Sequence, residues 1–302
     1  MQARYRRIPG SARASRLWIG ALAALLGSAG TAAAQTDPPE EDTYETARGM
    51  GLGTGARASA IGTSAAAYNA ANLGQAQLYH IESDLGFAPG GGGWWVGGAV
   101  VDSVSSPLAA GMSFRGMFDL GEDDHSGFDG RVSLGYALSD AIGLGLAGRY
   151  IKLEPDAQDA GDPGAKGFTL DASVRVTPTD GLHIAALGYN LIDRNSALTP
   201  MMVGGSLSFA IKDAFTLGGD GLVDLSTFDR AAVLAGGGFE YLAGGAVPLR
   251  LGYRFDSGRD THSVTGSVGY VDKNVGLDVA LRQHVAGAKD TQLLFTFRYH
   301  VQ

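Results

Sequence analysis

The sequence predicts an all-β fold, a 14-stranded antiparallel transmembrane β-barrel. Three observations predict this fold. Apolar and polar residues alternate in fourteen segments, so that each segment has one apolar and one polar face. Most of these segments hold 10–13 residues, which suits the roughly 9–11 residues that a tilted strand needs to cross a bilayer. The charged residues of the segments fall on the polar face, which a barrel in a membrane turns inward.

The alternation is clear in individual segments. In 167–177, Phe168, Leu170 and Val174 share one face, while Asp171 and Arg175 share the other. The same reading along the chain predicts strands over 77–88, 93–103, 107–118, 131–138, 141–153, 167–177, 182–192, 200–211, 214–225, 231–242, 247–256, 261–271, 275–285 and 291–301. An even number of strands lets a barrel close without an unpaired edge.

Composition excludes several other classes. The chain has 302 residues, 47 of them Gly, no Cys, and a net charge of -8. Without cysteine there is neither a disulfide scaffold nor a thiolate metal site, and the acidic balance disfavours a nucleic-acid partner. A polytopic helical membrane protein needs repeated apolar runs of about 20 residues, whereas the sequence has one short run near its start.

The first 34 residues have the pattern of a secretory signal peptide. Five arginines and no acid precede an apolar stretch from Leu17 to Leu26, and small residues ending in Ala34 follow. The alternative is a buried N-terminal helix. We therefore predict a signal peptide over 1–34 and a flexible acidic segment over 35–46. Export and a barrel together predict the bacterial cell outer membrane, with its lipid as a partner.

Charge placement separates a membrane barrel from the alternative, a soluble β-sandwich. Lipid-facing Arg or Lys at mid-membrane costs about 2–4 kcal/mol, so charges are expected inside the barrel. The exception is Lys152, at a strand end. Opposite charges such as Asp171 with Arg175 and Asp278 with Arg282 can pair across the lumen. The predicted luminal charges are Arg115, Arg149, Asp171, Arg175, Asp220, Asp224, Glu240, Arg250, Arg254, Asp278, Arg282 and Arg298.

Connection lengths and aromatic residues support the same choice. The two long connections, Asp119–Gly130 and Glu154–Lys166, both follow odd-numbered strands, and connections after even-numbered strands are short. Short inner turns and longer outer loops are typical of outer-membrane barrels. Aromatic residues near strand ends predict two girdles at the membrane interfaces. The interface aromatics are Trp94, Trp95, Phe118, Tyr150, Tyr241, Tyr270 and Tyr299.

The segment from Ala47 to Gly74 resembles the N-terminal signature of FadL-like outer-membrane barrels, including the PorV branch of type IX secretion. Asn69-Ala-Ala-Asn-Leu73 stands where that signature has Asn-Pro-Ala-Gly-Leu, with Ala70 in place of Pro and Asn72 in place of Gly. The phrases over 188–193 and 248–253 also resemble the PorV-like branch. The resemblance implies fourteen strands, in agreement with the alternation, and a hatch inside the lumen before the first strand.

We therefore expect a luminal hatch over 47–76, followed by the barrel over 77–302. Gly-rich backbone at 49–55 suits a chain packed inside a narrow barrel. Thr63 or Ser64 can cap a short helix over Ala65–Ala71, which Gly74 can end. The candidate hatch residues are Arg57, Asn69 and Asn72.

Other chemistry is weakly represented. The stretch Gly51–Ala56 matches a dinucleotide fingerprint, but no apolar strand precedes it. The six histidines lack metal-ligand spacing, and His262 beside Ser263 has no further catalytic partner in view. Acidic loops at 122–124 and 156–162 are candidates for calcium, with a solvated loop as the alternative. We expect no catalytic site, no cofactor and no resident metal.

Two functions remain for a non-enzymatic barrel of this kind. The favoured hypothesis is a membrane component of an envelope-spanning machine for secretion, polymer export or surface motility, with periplasmic or outer-membrane protein partners. The alternative is a passive transporter or porin for a hydrophobic or small solute. Short loops and a charged lumen favour the first.

Overall fold

The computed structural model describes residues 45–89, 93–118, 126–154, 164–211, 214–287 and 290–301. The predicted signal peptide over 1–34, residues 35–44 of the acidic segment and the candidate calcium loops at 122–124 and 156–162 lie outside the described residues.

Fourteen antiparallel strands form one closed barrel, which confirms the predicted fold class. Each strand pairs with its neighbours in the chain, and β1 closes the barrel against β14, from Tyr79 opposite Val301 to Phe87 opposite Leu293. The strands are β1 (Tyr79–Phe87), β2 (Trp94–Asp102), β3 (Leu108–Phe118), β4 (Ser126–Ala137), β5 (Ile142–Glu154), β6 (Ala165–Thr179), β7 (Leu182–Tyr189), β8 (Met202–Ile211), β9 (Phe215–Asp224), β10 (Ala232–Ala243), β11 (Val247–Asp256), β12 (Thr261–Val271), β13 (Val275–Ala286) and β14 (Thr291–Val301).

Residues alternate between an apolar outer face and an enclosed inner face along the strands. In β5, Leu146 and Tyr150 are 62% and 41% exposed on the outside, while Arg149 and Ile151 are 1% and 0% exposed. The exposed residues are apolar and the enclosed ones include the charges, which is the reverse of a soluble domain. The closed barrel thus presents hydrocarbon-compatible side chains to a bilayer and satisfies its backbone hydrogen bonds within itself.

The longest connections all lie on one side of the barrel. The connections after even-numbered strands run from two residues, at 180–181, to five, at 103–107. Those after odd-numbered strands include 155–164 and 190–201. Longer loops mark the extracellular mouth of such barrels, and we orient the barrel accordingly, with the 180–181 side toward the periplasm.

Some strand ends differ from the sequence-based expectation. β4 begins at Ser126 and β6 at Ala165, so both connections that look longest in the sequence are shorter. β7 ends at Tyr189, because Asn190 takes a left-handed backbone conformation with φ of 51° that breaks the strand. Leu191 and Ile192 therefore belong to the connection 190–201 rather than to the seventh strand.

The residues before β1 fold inside the barrel. They form helix α1 (Ala47–Gly51), a 3-10 turn (Arg57–Ser59), helix α2 (Gly62–Tyr68) and a second 3-10 turn (Ala70–Gln75). No helix in the described part of the chain has the length and apolar composition to span a membrane. We call residues 45–76 the hatch, which is two residues longer than the expected 47–76 because Glu45 and Thr46 also contact the hatch and the inner wall.

Glycines allow the hatch backbone to lie directly on the wall. A Cβ on Gly55 would collide with the backbone of Gly236 and Gly237 in β10. A Cβ on Gly238 would lie 2.8 Å from Cα of Leu52, closer than side-chain carbons approach. The Gly-rich composition therefore serves close backbone contact between hatch and strands.

Candidate functional site

Thr46, near the start of the hatch, is bonded to Tyr68 at the end of helix α2. The Thr46 hydroxyl caps α1 by accepting from the backbone N–H of Gly49, and the Thr46 N–H donates to the Tyr68 hydroxyl over 2.9 Å. The hydroxyls of Thr46 and Ser64 also lie 2.9 Å apart. Burial raises the pKa of Tyr68, so its phenol stays neutral. The hatch is thus a folded unit rather than a loose strand of chain.

Helix α2 begins earlier than the sequence suggests. Its N-cap residue is Ile61, which supplies no side-chain cap, and the helix ends at Tyr68. Thr63 and Ser64 lie inside the helix, where the Thr63 hydroxyl donates to Glu82 over 2.7 Å and thereby ties α2 to β1. The expected helix over Ala65–Ala71, capped by Thr63 or Ser64, is therefore wrong. The hydroxyls of both residues bond to other partners.

The C-terminal carbonyls of α2 are bonded by the wall. The Ser133 hydroxyl donates to the carbonyl of Ala66 over 2.7 Å, and Arg131 donates to that of Ala67. The Tyr189 hydroxyl donates to the carbonyl of Tyr68 itself. The carbonyls at a helix end lack intrahelical partners, and here strands β4 and β7 supply them.

Arg57 lies at the centre of the hatch. Its guanidinium is 3.2 Å from the Asp220 carboxylate of β9 and within 5.6 Å and 5.5 Å of the rings of Tyr68 and Tyr189. Its carbonyl accepts from the side-chain amide of Asn69. Arg57 is 4% exposed, so this cation is neutralised by one wall carboxylate and stacked between two aromatic rings.

Asn72 fixes the turn around Arg57. Its side-chain amide donates to the carbonyls of Ala58 and Ala60, each over 2.9 Å. Because an amide has two N–H groups, a single side chain can hold successive carbonyls of an irregular segment. Asn69 matches the resembled signature and Asn72 departs from it, yet the side chains of both hold the hatch backbone in place.

Charges on β10–β14 and β1 form what we call the first ionic cluster. Arg250 is its centre, since it lies 2.6 Å from Asp278 and also pairs with Glu240, which Arg48 of the hatch contacts at 3.2 Å. The members are Glu45, Arg48, Glu82, Glu240, Arg250, Arg254, Asp278, Arg282 and Arg298. The wall therefore holds the hatch by ion pairs at two points, Arg48 with Glu240 and Glu45 with Arg282 and Arg254.

A second ionic cluster lies on β3–β6. Arg149 pairs with Asp129 at 2.8 Å, Arg131 pairs with Asp171 at 3.0 Å, and Arg115 lies 3.9 Å from Asp129. These pairs differ from the expected ones. Asp171 and Arg175 lie four residues apart on β6, about 13 Å along a strand, whereas Arg131 of β4 reaches Asp171. In the same way Asp278 pairs with Arg250, and Arg282 pairs with Glu45 of the hatch.

The remaining two of the twelve charged positions serve connections. Arg175 points inward near the periplasmic end of β6, where it donates to the Thr177 hydroxyl over 2.8 Å. Asp224 ends β9 and accepts from the backbone N–H groups of Ser226 and Thr227, both at 3.0 Å. They stabilise strand ends and take no part in either cluster.

Between the two ionic clusters the inner wall is apolar. We call this surface the apolar sector, and it lies on β7–β10 with Ala58 of the hatch packed against it. Its wall residues are Ala185, Leu187, Tyr189, Met202, Leu222 and Leu234. The sequence-based expectation of a charged lumen does not include this sector, although the inward positions of β7 and β10 are mostly apolar in the sequence.

The hatch encloses a small void. Its volume is about 10 Å³, and it lies between the hatch helices. Its lining residues are Arg48, Gly49, Leu52, Thr54, Ala56, Arg57, Ala60, Ser64 and Tyr68. The void is formed by hatch residues alone, so it belongs to the packing of the hatch.

The predicted interface aromatics face outward with one exception. Trp94 stacks on Phe118 at 4.3 Å, and Tyr241 stacks on Phe215 at 4.5 Å. Tyr150, Tyr270 and Tyr299 are likewise exposed to the lipid side. Trp95 is not an interface anchor, because it points inward and packs against Ala47, Met50, Ala280 and Leu294. Strand β2 is apolar on both faces, which hides its facing in the sequence.

Comparison with known proteins gives matches of fold only. No protein-family model matches the sequence, and no curated protein matches it. The Ralstonia pickettii toluene transporter TbuX is similar with a TM-score of 0.61 at 15% identity, over 86% of this chain and 99% of that chain. The Pseudomonas putida toluene transporter TodX has a TM-score of 0.56 at 14% identity, over 88% of this chain and 99% of that one.

A third structure of the same kind is the CymD monoaromatic hydrocarbon channel. Its TM-score is 0.55 at 12% identity, over 86% of this chain and 97% of that chain. These proteins are transporters and channels. The likeness supports a FadL-like barrel and does not extend to the PorV branch, which stays a prediction. The chain thus has the barrel fold of these transporters and channels, with fourteen strands in a closed barrel and an apolar belt on its outer face.

Proposed function

We propose that this protein is a passive outer-membrane transporter for a small hydrophobic solute, with the hatch closing the lumen until it moves. The observation that carries the proposal is the apolar sector on β7–β10, an apolar surface between two ionic clusters and beside the Arg57–Asp220 ion pair. Only a nonpolar molecule gains by leaving water for such a surface. The fold likeness to toluene transporters supports the same solute class.

The contacts of the hatch are consistent with a part that can leave the apolar sector without unfolding. Ala58 is the hatch residue packed in that sector, and its backbone N–H bonds to the Ser206 hydroxyl over 2.7 Å. The ionic contacts of Arg48 and Glu45 lie on the other side of the lumen. A small movement of the 3-10 turn at Arg57–Ser59 would expose apolar wall while Arg48 and Glu45 keep their partners. The same movement would have to separate Arg57 from Asp220 of β9.

Uptake by cells tests the solute class. The full chain is produced in a Gram-negative host, and the initial uptake rate of labelled toluene is compared with that of the empty host. We expect Leu222→Asp to abolish the added uptake, because it places a charge in the apolar sector. The matched control is Ser263→Asp, since Ser263 is also buried and inward-facing but lies on β12. Uptake equal to the empty host, or Leu222→Asp equal to the wild type, contradicts the proposal.

The hatch itself is tested separately in planar bilayers. We expect the wild-type protein to be nearly silent and a variant lacking 47–76 to conduct steadily, because the deletion removes the residues that fill the lumen. Deletion of 35–44, which the structure does not describe, is the control and should leave the barrel silent. Equal conductance of the wild type and the 47–76 deletion would show that the segment does not close the lumen.

The second candidate function is the anchoring component of an envelope-spanning machine. The dense contacts between hatch and wall favour it, because a filled lumen suits a structural anchor. The comparisons support transport more than this reading. Affinity purification from the native membrane distinguishes them. A barrel without conductance that co-purifies reproducibly with the same periplasmic proteins favours the machine, whereas toluene uptake favours the transporter.

A further inference from the structure

The lipid-facing surface carries almost no charge in the described strands. Among Asp, Glu, Lys and Arg of these strands, those on the outer face are Asp102, Lys152, Glu154 and Lys166. Asp102 ends β2 on the periplasmic side, where it caps the following turn. The other three lie together at the extracellular ends of β5 and β6, so the outer leaflet meets one charged spot on these strands.

Lys152 and Lys166 are direct cross-strand partners. They stand opposite each other in the β5–β6 register, and like charges in that position destabilise a sheet unless an anion lies between them. Glu154 pairs with Lys152 at 2.7 Å but is 66% exposed, toward the aqueous side. Lys166 makes no hydrogen bond or ion pair with another described residue. The pair thus keeps a net positive charge at the membrane interface.

An aromatic surface lies beside and below the two lysines on the same outer face. We call Phe114, Phe128, Tyr150 and Phe168 the aromatic platform. The ring centroid of Phe128 lies 6.0 Å from that of Phe114 and 6.0 Å from that of Tyr150, with interplanar angles of 26° and 29°. Tyr150 stands opposite Phe168 in the β5–β6 register. The platform runs across four strands, β3–β6, and Phe128 is also the β4 neighbour of Lys152.

Glycines beneath the rings make the platform flat. A Cβ on Gly148 would lie 3.0 Å from the ring of Phe168, and one on Gly130 would lie 3.9 Å from that of Phe114. The rings of Phe168 and Phe114 therefore lie over bare glycine backbone. A flat apolar face next to a pair of ammonium groups complements a molecule with an acyl chain and an anionic head.

We propose that Lys152 and Lys166 bind the phosphate of an outer-leaflet lipid whose acyl chain lies on the aromatic platform. Two ammonium groups at the interface neutralise a phosphate of charge near minus two better than one. The acyl chain gains contact with rings that lipid must cover in any case. The connection between these strands carries Asp156, Asp159 and Asp162 outside the described residues, so the test measures bound lipid directly.

The probe is bisphosphorylated lipid A, retained on the full-length protein after detergent exchange and counted by mass spectrometry. Relative to the wild type, we expect the double variant Lys152→Gln, Lys166→Gln to retain the lipid about tenfold more weakly. The charge-matched control is Arg230→Gln with Lys273→Gln, two basic residues in connections on opposite sides of the barrel. Unchanged retention in the lysine variant, or an equal loss in the control, overturns the proposal.

Two further experiments distinguish lipid binding from binding of a free anion and from unspecific adsorption of lipid to the apolar surface. Excess inorganic phosphate should leave the lipid bound, whereas its complete release would show a simple anion site and overturn the assignment to lipid. Phe168→Leu should lower retention, and Phe297→Leu, on the lipid face of β14, should not. Equal retention in these two variants overturns the role of the platform. Heat-modifiable gel mobility confirms that each variant is folded.

Discussion

The inner wall of the barrel has two kinds of surface that hold the hatch differently. In the first ionic cluster, Arg48 and Glu45 of the hatch enter a network of charges that alternate in sign. In the apolar sector, the hatch contributes Ala58, a residue with a single methyl group. The ionic side gives directional contacts that are costly to break one at a time, whereas the apolar side gives contacts without direction.

The difference suggests a division of work within the lumen. Buried ion pairs fix position, since each requires its partner at one distance and angle. Apolar contacts depend on area, so another nonpolar group can replace Ala58 without an unpaired charge being left behind. On the apolar side, a solute that displaces the hatch has one ion pair to separate, Arg57 with Asp220. On the other side it has the ion pairs of Arg48 and Glu45 to separate.

The largest effect is expected from breaking the centre of the first ionic cluster. Arg250→Ala removes the cation between Glu240 and Asp278 and leaves enclosed carboxylates, at a cost of about 3–5 kcal/mol. We expect a lower urea midpoint for unfolding in detergent micelles. The double variant Arg250→Ala, Asp278→Asn should regain part of the loss, because one unpaired charge is then absent. A double variant less stable than the single one would show that the two residues do not act as a pair.

A smaller effect is expected in the apolar sector. Leu222→Ala deletes a side chain that is 0% exposed, and such deletions cost about 2–5 kcal/mol through lost burial and the cavity left. Leu217→Ala, on the same strand but 62% exposed to lipid, is the matched control. We expect the urea midpoint to fall clearly for Leu222→Ala and little for Leu217→Ala. Similar shifts in both would mean that Leu222 is not packed inside the barrel.

The sequence predicts the wall better than it predicts the contacts within it. The period of two identifies all fourteen strands, because burial on one face and lipid on the other impose the same alternation throughout. The prediction for Trp95 is wrong because β2 has no polar face, so the sequence shows no alternation from which to assign its inner side. The partner of Asp171 is a matter of register between strands, which a single sequence does not encode locally.

The hatch shows the same limit more strongly. Glu45 looks like one more acid in a flexible run, yet it pairs with Arg282 and lies 3.6 Å from Arg254. Nothing in its immediate neighbours marks it. The hydroxyls of Thr63 and Ser64 could be identified as bonding groups, but whether they bond their own helix or the wall depends on the barrel around them.

A modest effect is expected from loss of the hydrogen bond between Thr46 and Tyr68 inside the hatch. Tyr68→Phe removes the hydroxyl that accepts from the Thr46 N–H, and a typical hydrogen bond of this kind contributes about 0.5–1.5 kcal/mol. We expect more frequent brief openings in planar bilayers with no change in the fully open conductance. Tyr270→Phe, at an exposed position on β12, is the control. If both variants behave like the wild type, the Thr46–Tyr68 bond does not limit hatch movement.

The smallest effect contrasts an exposed carboxylate with the enclosed ones. Backbone N–H groups of Val275 and Asn274 hold the pKa of Asp272 below its ordinary value of 3.8. Since the depressed pKa favours the charged form in the folded state, its stabilisation is present above that ordinary value and is lost as pH falls through the folded pKa.

Asp272→Asn should therefore lower the urea midpoint slightly at neutral pH, and the difference from the wild type should shrink in acid. The control is Asp229→Asn, because Asp229 makes no hydrogen bond among the described residues and its substitution should leave the urea midpoint unchanged. A constant difference across pH for Asp272→Asn would mean that the turn is held by shape alone. It would also mean that charge contributes to stability in this barrel only where the wall encloses it.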